Sequence, residues 1–91
     1  MTTPVICHPK VNINGSSARE LVEQRLEVLR LLDQTAVALA KIAPHGRDYQ
    51  LNDPQDFSND RITHSLRAKA IGDLYKAIEV EALAIQAQET N

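Results

Sequence analysis

Residues 17–43 read SARELVEQRLEVLRLLDQTAVALAKIA, and this stretch decides the fold that the sequence predicts. Its apolar side chains recur at alternating spacings of three and four residues, the heptad spacing of a helix packed along a partner helix. The series consists of Ala18, Val22, Leu29, Leu32, Ala36, Leu39 and Ala43, with Arg25 at the remaining position. The spacing therefore predicts a long amphipathic helix over residues 17–43.

Both ends of this helix carry termination signals. Ser17 followed by Glu20 matches the capping box, in which the two side chains satisfy two free backbone amides. At the other end Pro44 follows Ala43, and a residue that precedes proline avoids the helical region. We therefore expect the helix to begin near Ala18 and to end at about Ala43.

A second series with the same spacing predicts a second helix over residues 58–88. Its members are His64, Arg67, Ile71, Leu74, Ile78, Glu81 and Ile85. Asp56 and Ser58 are both candidate N-caps. Gly72 lies inside this helix, where glycine costs up to about 1 kcal/mol against alanine, so it marks a close helix approach or a slight bend.

Each helix carries more apolar surface than one partner helix can cover. In the first helix further apolar residues flank the series on both sides, and the second helix has an apolar patch away from its series. These residues are Leu21, Leu26, Val28, Leu31, Val37 and Ile42 in the first helix, and Ile62, Val80, Leu83 and Ala84 in the second. The sequence thus predicts an all-α protein, an antiparallel two-helix hairpin that forms a homo-oligomeric helical assembly.

Charged residues at or beside the two series predict ion pairs across the hairpin. If the helices fold back around residues 44–57, Arg25 lies opposite Glu81, and Asp33 lies opposite Arg67. Such pairs fix the register of two helices more reliably than they add stability, because desolvation offsets most of the Coulomb attraction. The alternative for either arginine is a place at a subunit junction, where its planar guanidinium would bind an anion.

The N-terminal residues 1–16 predict a short extended arm or strand. The segment VNIN at residues 11–14 alternates apolar and polar side chains, as a half-buried strand does, and residues 5–7 form a second short apolar piece. Pro4 and Pro9 argue against a helix here. The segment is either a frayed tail or an arm that docks on a neighbouring subunit.

Composition limits the function classes. The 91 residues predict one domain over residues 1–91, and a net charge of −2 does not match the basic surface of a nucleic-acid binder. Cys7 is the only cysteine, which fits a reducing compartment, and the three histidines lack metal-ligand spacing. No signal peptide pattern and no apolar run of about 20 residues is present, so we expect a cytoplasmic location with no membrane partner.

The segment PHGRDYQLNDPQDF at residues 44–57 is rich in turn-forming residues. Pro44 ends the first helix, and Gly46 provides a turn with positive φ. Leu51 and Phe57 are expected to pack onto the helices, and Tyr49 onto the helix end. One interpretation of the segment is therefore structural, as a turn held together by local bonds.

The other interpretation is a ligand-binding site made of the same residues. Arg47 is suited to bind a phosphate through its two-pronged guanidinium, and Tyr49 presents a ring on which a base can stack. His45 offers a hydrogen bond, and Arg67 is the fourth candidate contact. The spacing matches no phosphate-binding loop, and no catalytic arrangement or cofactor motif is recognisable, so we expect no enzyme activity and no cofactor.

The segments NGSS at residues 14–17 and PHGRDY at residues 44–49 resemble those of small bacteriophage and prophage proteins that combine a short strand with two helices. A looser resemblance links the proline-x-glycine-arginine-acid corner to the helical hairpins of phage anti-CBASS and anti-Thoeris sponges. Those sponges form oligomers that sequester nucleotide immune signals of the host without cleaving them. They lack the roughly ten loop residues that follow Arg47 and Asp48 here, and only Arg47 carries over from their binding sites.

The resemblance implies a non-enzymatic phage protein that binds a small anionic ligand, such as a nucleotide second messenger, in the host cytoplasm to counter antiviral defence. The chemistry of the residues themselves indicates Arg47 and Tyr49 as the ligand contacts, supported by His45 and Arg67, at junctions between subunits. The alternative is a helical protein–protein interaction module, or an accessory protein of the virion, that needs no small ligand.

Overall fold

The first helix begins where its cap predicts. The structure is a computed structural model that describes residues 7–12 and 14–89, and its helix α1 spans Ala18–Ala40. Ser17 is the N-cap in extended conformation, and its side-chain oxygen accepts a hydrogen bond of 3.1 Å from the backbone amide of Glu20. This bond satisfies one of the free amides of the first turn.

Helix α1 ends three residues earlier than predicted. From Lys41 to Ala43 the backbone amides bond to carbonyls three residues back instead of four, so the chain tightens after Ala40. Pro44 is the physical reason, because its ring excludes Ala43 from the helical region and the tightening spreads back over the preceding turn.

The second helix starts earlier than predicted. Helix α2 spans Pro54–Glu89, so its first residue is Pro54, and neither Asp56 nor Ser58 is a cap. Proline is favoured at the first helical position, where its fixed φ fits the helix and no amide is needed. Between the helices, Gly46–Tyr49 forms a 3₁₀ turn in which Gly46 does not have a positive φ, contrary to the prediction.

The two helices pack against each other along the two predicted series. Among the described residues the buried positions are few: Ala18 and Leu29 of α1, and Ala82 and Ile85 of α2. Ala82 is not a member of the predicted series but lies next to Glu81, which is. Near the corner the packing is looser, and a cavity of about 110 Å³ lies between Ala36, Leu39, Ala40, His64, Ala68 and Ile71. Some members of both predicted series lie exposed to solvent: Ala36 and Ala43 of the first series, and Arg67 and Leu74 of the second.

One of the two predicted ion pairs forms. The Nε and Nη2 atoms of Arg25 each lie 3.0 Å from Oε1 of Glu81, and Nη1 of Arg25 also donates to the carbonyl of Leu21. The pair predicted between Asp33 and Arg67 does not form. Both side chains are exposed and have no ion-pair partner among the described residues. Among the described residues, an ion pair therefore joins the two helices near the open end of the hairpin, and none joins them near the corner.

The described part of the N-terminal segment contains no strand. The side chain of Asn12 accepts a hydrogen bond from the amide of Asn14, and this local turn replaces extended pairing. The side-chain amide of Gln88 accepts from the amide of Val11 and donates to the carbonyl of Pro9, which connects this segment to the end of α2. Residues 1–6 and 13 of the predicted arm lie outside the described residues.

Two smaller predictions also change. A Cβ atom added at Gly72 would meet nothing within 4 Å, so this glycine does not mark a close helix approach. Leu51 does not pack on the helices but is fully exposed.

Of the helices in the described part of the chain, none combines the length and the apolarity needed to cross a membrane.

Candidate functional site

The corner between the helices brings three of the four predicted ligand residues together. His45 is the N-cap of the 3₁₀ turn, and its Nδ1 atom accepts a 3.3 Å hydrogen bond from the amide of Arg47. Tyr49 closes the same turn. Arg67 does not join them. Asp60 is the residue of α2 that Tyr49 contacts, and Arg67 lies seven residues farther along α2, which is about 10 Å along the helix axis.

Tyr49 is held by contacts that the sequence analysis missed. Its hydroxyl donates a 2.6 Å hydrogen bond to Oδ2 of Asp60, and its ring lies 5.3 Å from the ring of Phe57 at an angle of 53°. The guanidinium of Arg61 lies over the ring of Phe57, 5.6 Å from its centre. The ring of Tyr49 is therefore already used for packing, and its hydroxyl is already bound.

Carboxylates dominate the electrostatics of the corner. The hydrogen bond to Asp60 raises the pKa of the Tyr49 hydroxyl above its usual value near 10, and partial desolvation adds to this effect. The negative charges of Asp60, Asp48 and Asp56 raise the pKa further, because they oppose a phenolate. These charges also oppose the binding of an anion at the same place.

Arg47 is the cationic group of the corner that remains available. Its side chain is exposed, and the described residues provide no acceptor for its guanidinium. Among residues 7–12 and 14–89, no three His, Cys, Asp or Glu side chains form a group that could hold a metal ion. The chemistry that the corner offers is thus hydrogen bonding and one free guanidinium.

The pH dependence of stability follows from the raised pKa of Tyr49. A raised folded-state pKa means that the contact stabilises the fold fully below the unfolded-state value of about 10 and is lost as pH rises through the folded-state value. We expect the urea midpoint of the wild type to fall over this alkaline range more steeply than that of Tyr49→Phe. Equal slopes for the two proteins would show that the bond between Tyr49 and Asp60 does not persist in solution.

The second candidate site is the exposed apolar surface of the helices. Large apolar side chains are exposed on both helices and in the corner, in contrast to the four buried residues of the core. On the helices they are Leu26, Val28, Leu31 and Val37 of α1, and Ile62, Leu66, Leu74, Val80 and Leu83 of α2, with Ile42 just after α1. Ile62 and Leu66 line a shallow groove of about 430 Å³ with Ser58, Arg61 and Ser65.

Most of this surface can be predicted from the sequence. The flanking positions of α1 and the patch of Ile62, Val80 and Leu83 follow from helical periodicity alone. The sequence predicts no site role for Phe57, Asp60 and Arg61. The early start of α2 at Pro54 brings Phe57 and Asp60 into contact with Tyr49 of the turn. Comparisons with protein-family models, with curated proteins and with solved structures find no match to this chain.

Proposed function

We propose that this protein is a helical interaction subunit that assembles with other copies of itself through exposed apolar helix faces. The observation that carries the proposal is the distribution of large apolar side chains, most of which lie on the outside of a two-helix hairpin. Neighbouring exposed apolar side chains, such as Ile62 with Leu66 and Val80 with Leu83, are typical of interaction sites in soluble proteins.

The small size of the core supports the same proposal. Only Leu29 and Ile85 are large buried side chains in the described chain, and the other two buried residues are alanines. A core this small stabilises a fold by no more than about 3–5 kcal/mol, and small domains usually need further support. Cys7 is exposed and is the only cysteine, so an internal disulfide cannot provide it. Burial of helix faces between copies can provide this support.

Sedimentation velocity over a wide dilution series tests the proposal. We expect a particle whose mass is a multiple of the 10.1 kDa subunit and which dissociates on dilution. Circular dichroism on the same samples reports whether helix content falls as the subunits separate. A well-folded subunit of 10.1 kDa at every concentration would rule the proposal out.

A second candidate is the capture of a small anionic ligand, such as a nucleotide signal of antiviral defence, at the corner. The free guanidinium of Arg47 favours it, and so does the resemblance of the corner to phage sponges. The carboxylates of Asp48, Asp56 and Asp60 act against it, so the attraction depends on Arg47.

Calorimetry with a panel of cyclic nucleotides and ADP-ribose derivatives tests this second candidate. Arg47→Ala should abolish any binding, and Arg19→Ala should not, because Arg19 is an exposed arginine of α1 that is paired with Glu23. Absence of heat from the wild type, or equal binding by both variants, would exclude ligand capture at the corner.

A further inference from the structure

The face of α2 that points away from α1 carries a heptad series of its own. We call it the outer seam, and every one of its residues is exposed. It consists of Ile62, Leu66, Lys69, Asp73, Lys76, Val80, Leu83 and Ala87, at alternating spacings of four and three. The residues that pack on α1, such as Ile71, Ile78 and Ile85, lie about half a turn away. Five of the eight are apolar, and apolar residues at heptad spacing on an exposed face are typical of a helix that packs along another helix.

The outer seam is self-complementary when it is read in the opposite direction. Both of its ends are apolar, and its centre is occupied by Lys69, Asp73 and Lys76. If a second α2 runs antiparallel across it, Leu66 faces Leu83 of the second copy, and Asp73 faces Lys76 of the second copy. Two-fold symmetry repeats each contact, so there are two pairs of Asp73 with Lys76, one on each side of the axis.

We propose that two copies of the chain pair through their outer seams as an antiparallel, two-fold symmetric dimer. This proposal rests on the proposed function, for which it names the face and the register. The contact extends from Ile62 to Ala87, which is about 38 Å at 1.5 Å per residue. At its outer positions Ile62 meets Ala87, and next to the centre the aliphatic stem of Lys69 covers Val80 of the second copy.

The charged centre determines the direction of the pair, and the charged centre and the apolar ends together determine its register. In a parallel arrangement Lys69, Asp73 and Lys76 would each face the same residue of the second copy, so every central contact would join like charges. In the antiparallel arrangement, a shift by one heptad in one direction would place Asp73 opposite Leu83. The opposite shift would pair Asp73 with Lys69, but Lys76 would then lie opposite Leu66, and Leu66 would no longer meet Leu83. Polar residues at seam positions have this specifying role in coiled coils, at some expense in stability.

The single subunit does not hold these charges in a way that opposes pairing. In the hairpin Asp73 accepts from Nζ of Lys69 at 2.7 Å, and Lys76 lies 3.4 Å from Glu79. Both pairs are largely exposed, and exposed pairs contribute at most about 1 kcal/mol. Their exchange for pairs between copies therefore costs little, and Lys69 can keep its own contact with Asp73.

Charge reversal at the centre tests the interface. Asp73→Lys and Lys76→Asp each place like charges together twice per dimer, so each variant should raise the dimer dissociation constant about tenfold or more. When the two variants are mixed, every central contact is attractive, and a heterodimer should form at close to the wild-type dissociation constant. The double variant Asp73→Lys/Lys76→Asp should form homodimers again. Native mass spectrometry distinguishes homodimers from heterodimers.

Glu23→Lys is the matched control. It makes the same change of charge at an exposed residue of α1 that is also held by a pair four residues away, and it should leave the dissociation constant unchanged. If the wild type is a single subunit, this proposal and the proposed function both fail. If the wild type assembles but Asp73→Lys behaves as Glu23→Lys does, or mixing produces no heterodimer, assembly stands and the outer seam is not its interface.

Discussion

Replacing Ile85 with alanine is expected to lower the free energy of unfolding by about 2–5 kcal/mol. Ile85 has 0% of its surface exposed, and the other buried residues near the open end of the hairpin are Ala18 and Ala82. Truncation removes three methyl or methylene groups from this part of the core and leaves a cavity, which the surrounding residues close only in part. Because a hairpin of this size has little stability in reserve, the change approaches the whole of it.

Urea denaturation followed by circular dichroism measures this effect, at one fixed protein concentration because assembly adds to apparent stability. Val37→Ala is the matched control. It also replaces a β-branched residue of a helix with alanine, but Val37 is 62% exposed, and its loss should cost no more than about 0.5 kcal/mol. Equal midpoints for the two variants would show that the helices do not pack at Ile85 in solution.

Ile85 could be identified from the sequence because a hairpin of two heptad series leaves few choices for the core. Alternating spacings of three and four place Leu29 and Ile85 on facing sides, whatever the details of the corner. The same reasoning placed Arg25 opposite Glu81, and their contact confirms the register. It failed for Asp33, which lies just off the seam, because a deviation of one position turns a side chain by about 100° toward solvent.

The bounds of the helices were less predictable because proline acts differently at the two ends of a helix. Pro44 was expected to end α1 directly, but the chain already tightens after Ala40. Pro54 was counted with the loop although it is the first residue of α2. Leu51 then lies in a short connection between two turns, where nothing covers it.

This error at Pro54 also limited what could be said about the corner. The loop composition identified His45, Arg47 and Tyr49 as residues that meet, and the structure brings them together. It could not identify Asp60 as the partner of Tyr49, because that contact requires one more helical turn at the start of α2. The outer seam, in contrast, depends only on α2 being a helix, and its spacing can be found in the sequence alone.

Breaking the ion pair between Arg25 and Glu81 is the other change with a large expected effect. Arg25→Met should lower the free energy of unfolding by about 1–3 kcal/mol. The side chain of Glu81 is 16% exposed, and without Arg25 its carboxylate has no other cation among the described residues in contact with it. The carbonyl of Leu21 also loses a donor, although it keeps its place in the helix.

The cost should come from the isolated carboxylate and not from the loss of attraction itself. If so, Arg25→Met/Glu81→Met, which removes both charges and keeps apolar volume between the helices, should be within about 1 kcal/mol of the wild type or more stable. The matched control is Arg19→Met. It breaks an exposed pair with Glu23 and should change stability by less than about 0.5 kcal/mol.

A double-mutant cycle separates stability from register. Its four proteins are the wild type, Arg25→Met, Glu81→Met and Arg25→Met/Glu81→Met. A coupling energy of about 0.5–3 kcal/mol is expected for two residues in direct contact. If the doubly substituted protein is as stable as the wild type but its helices slip by a heptad, the pair contributes register, as charged residues do at buried seam positions. Disulfide formation between cysteines introduced at Leu29 and Ile78, with Cys7 replaced by serine, detects such a slip. A coupling energy near zero together with unchanged register would show that the apolar seams alone align the hairpin.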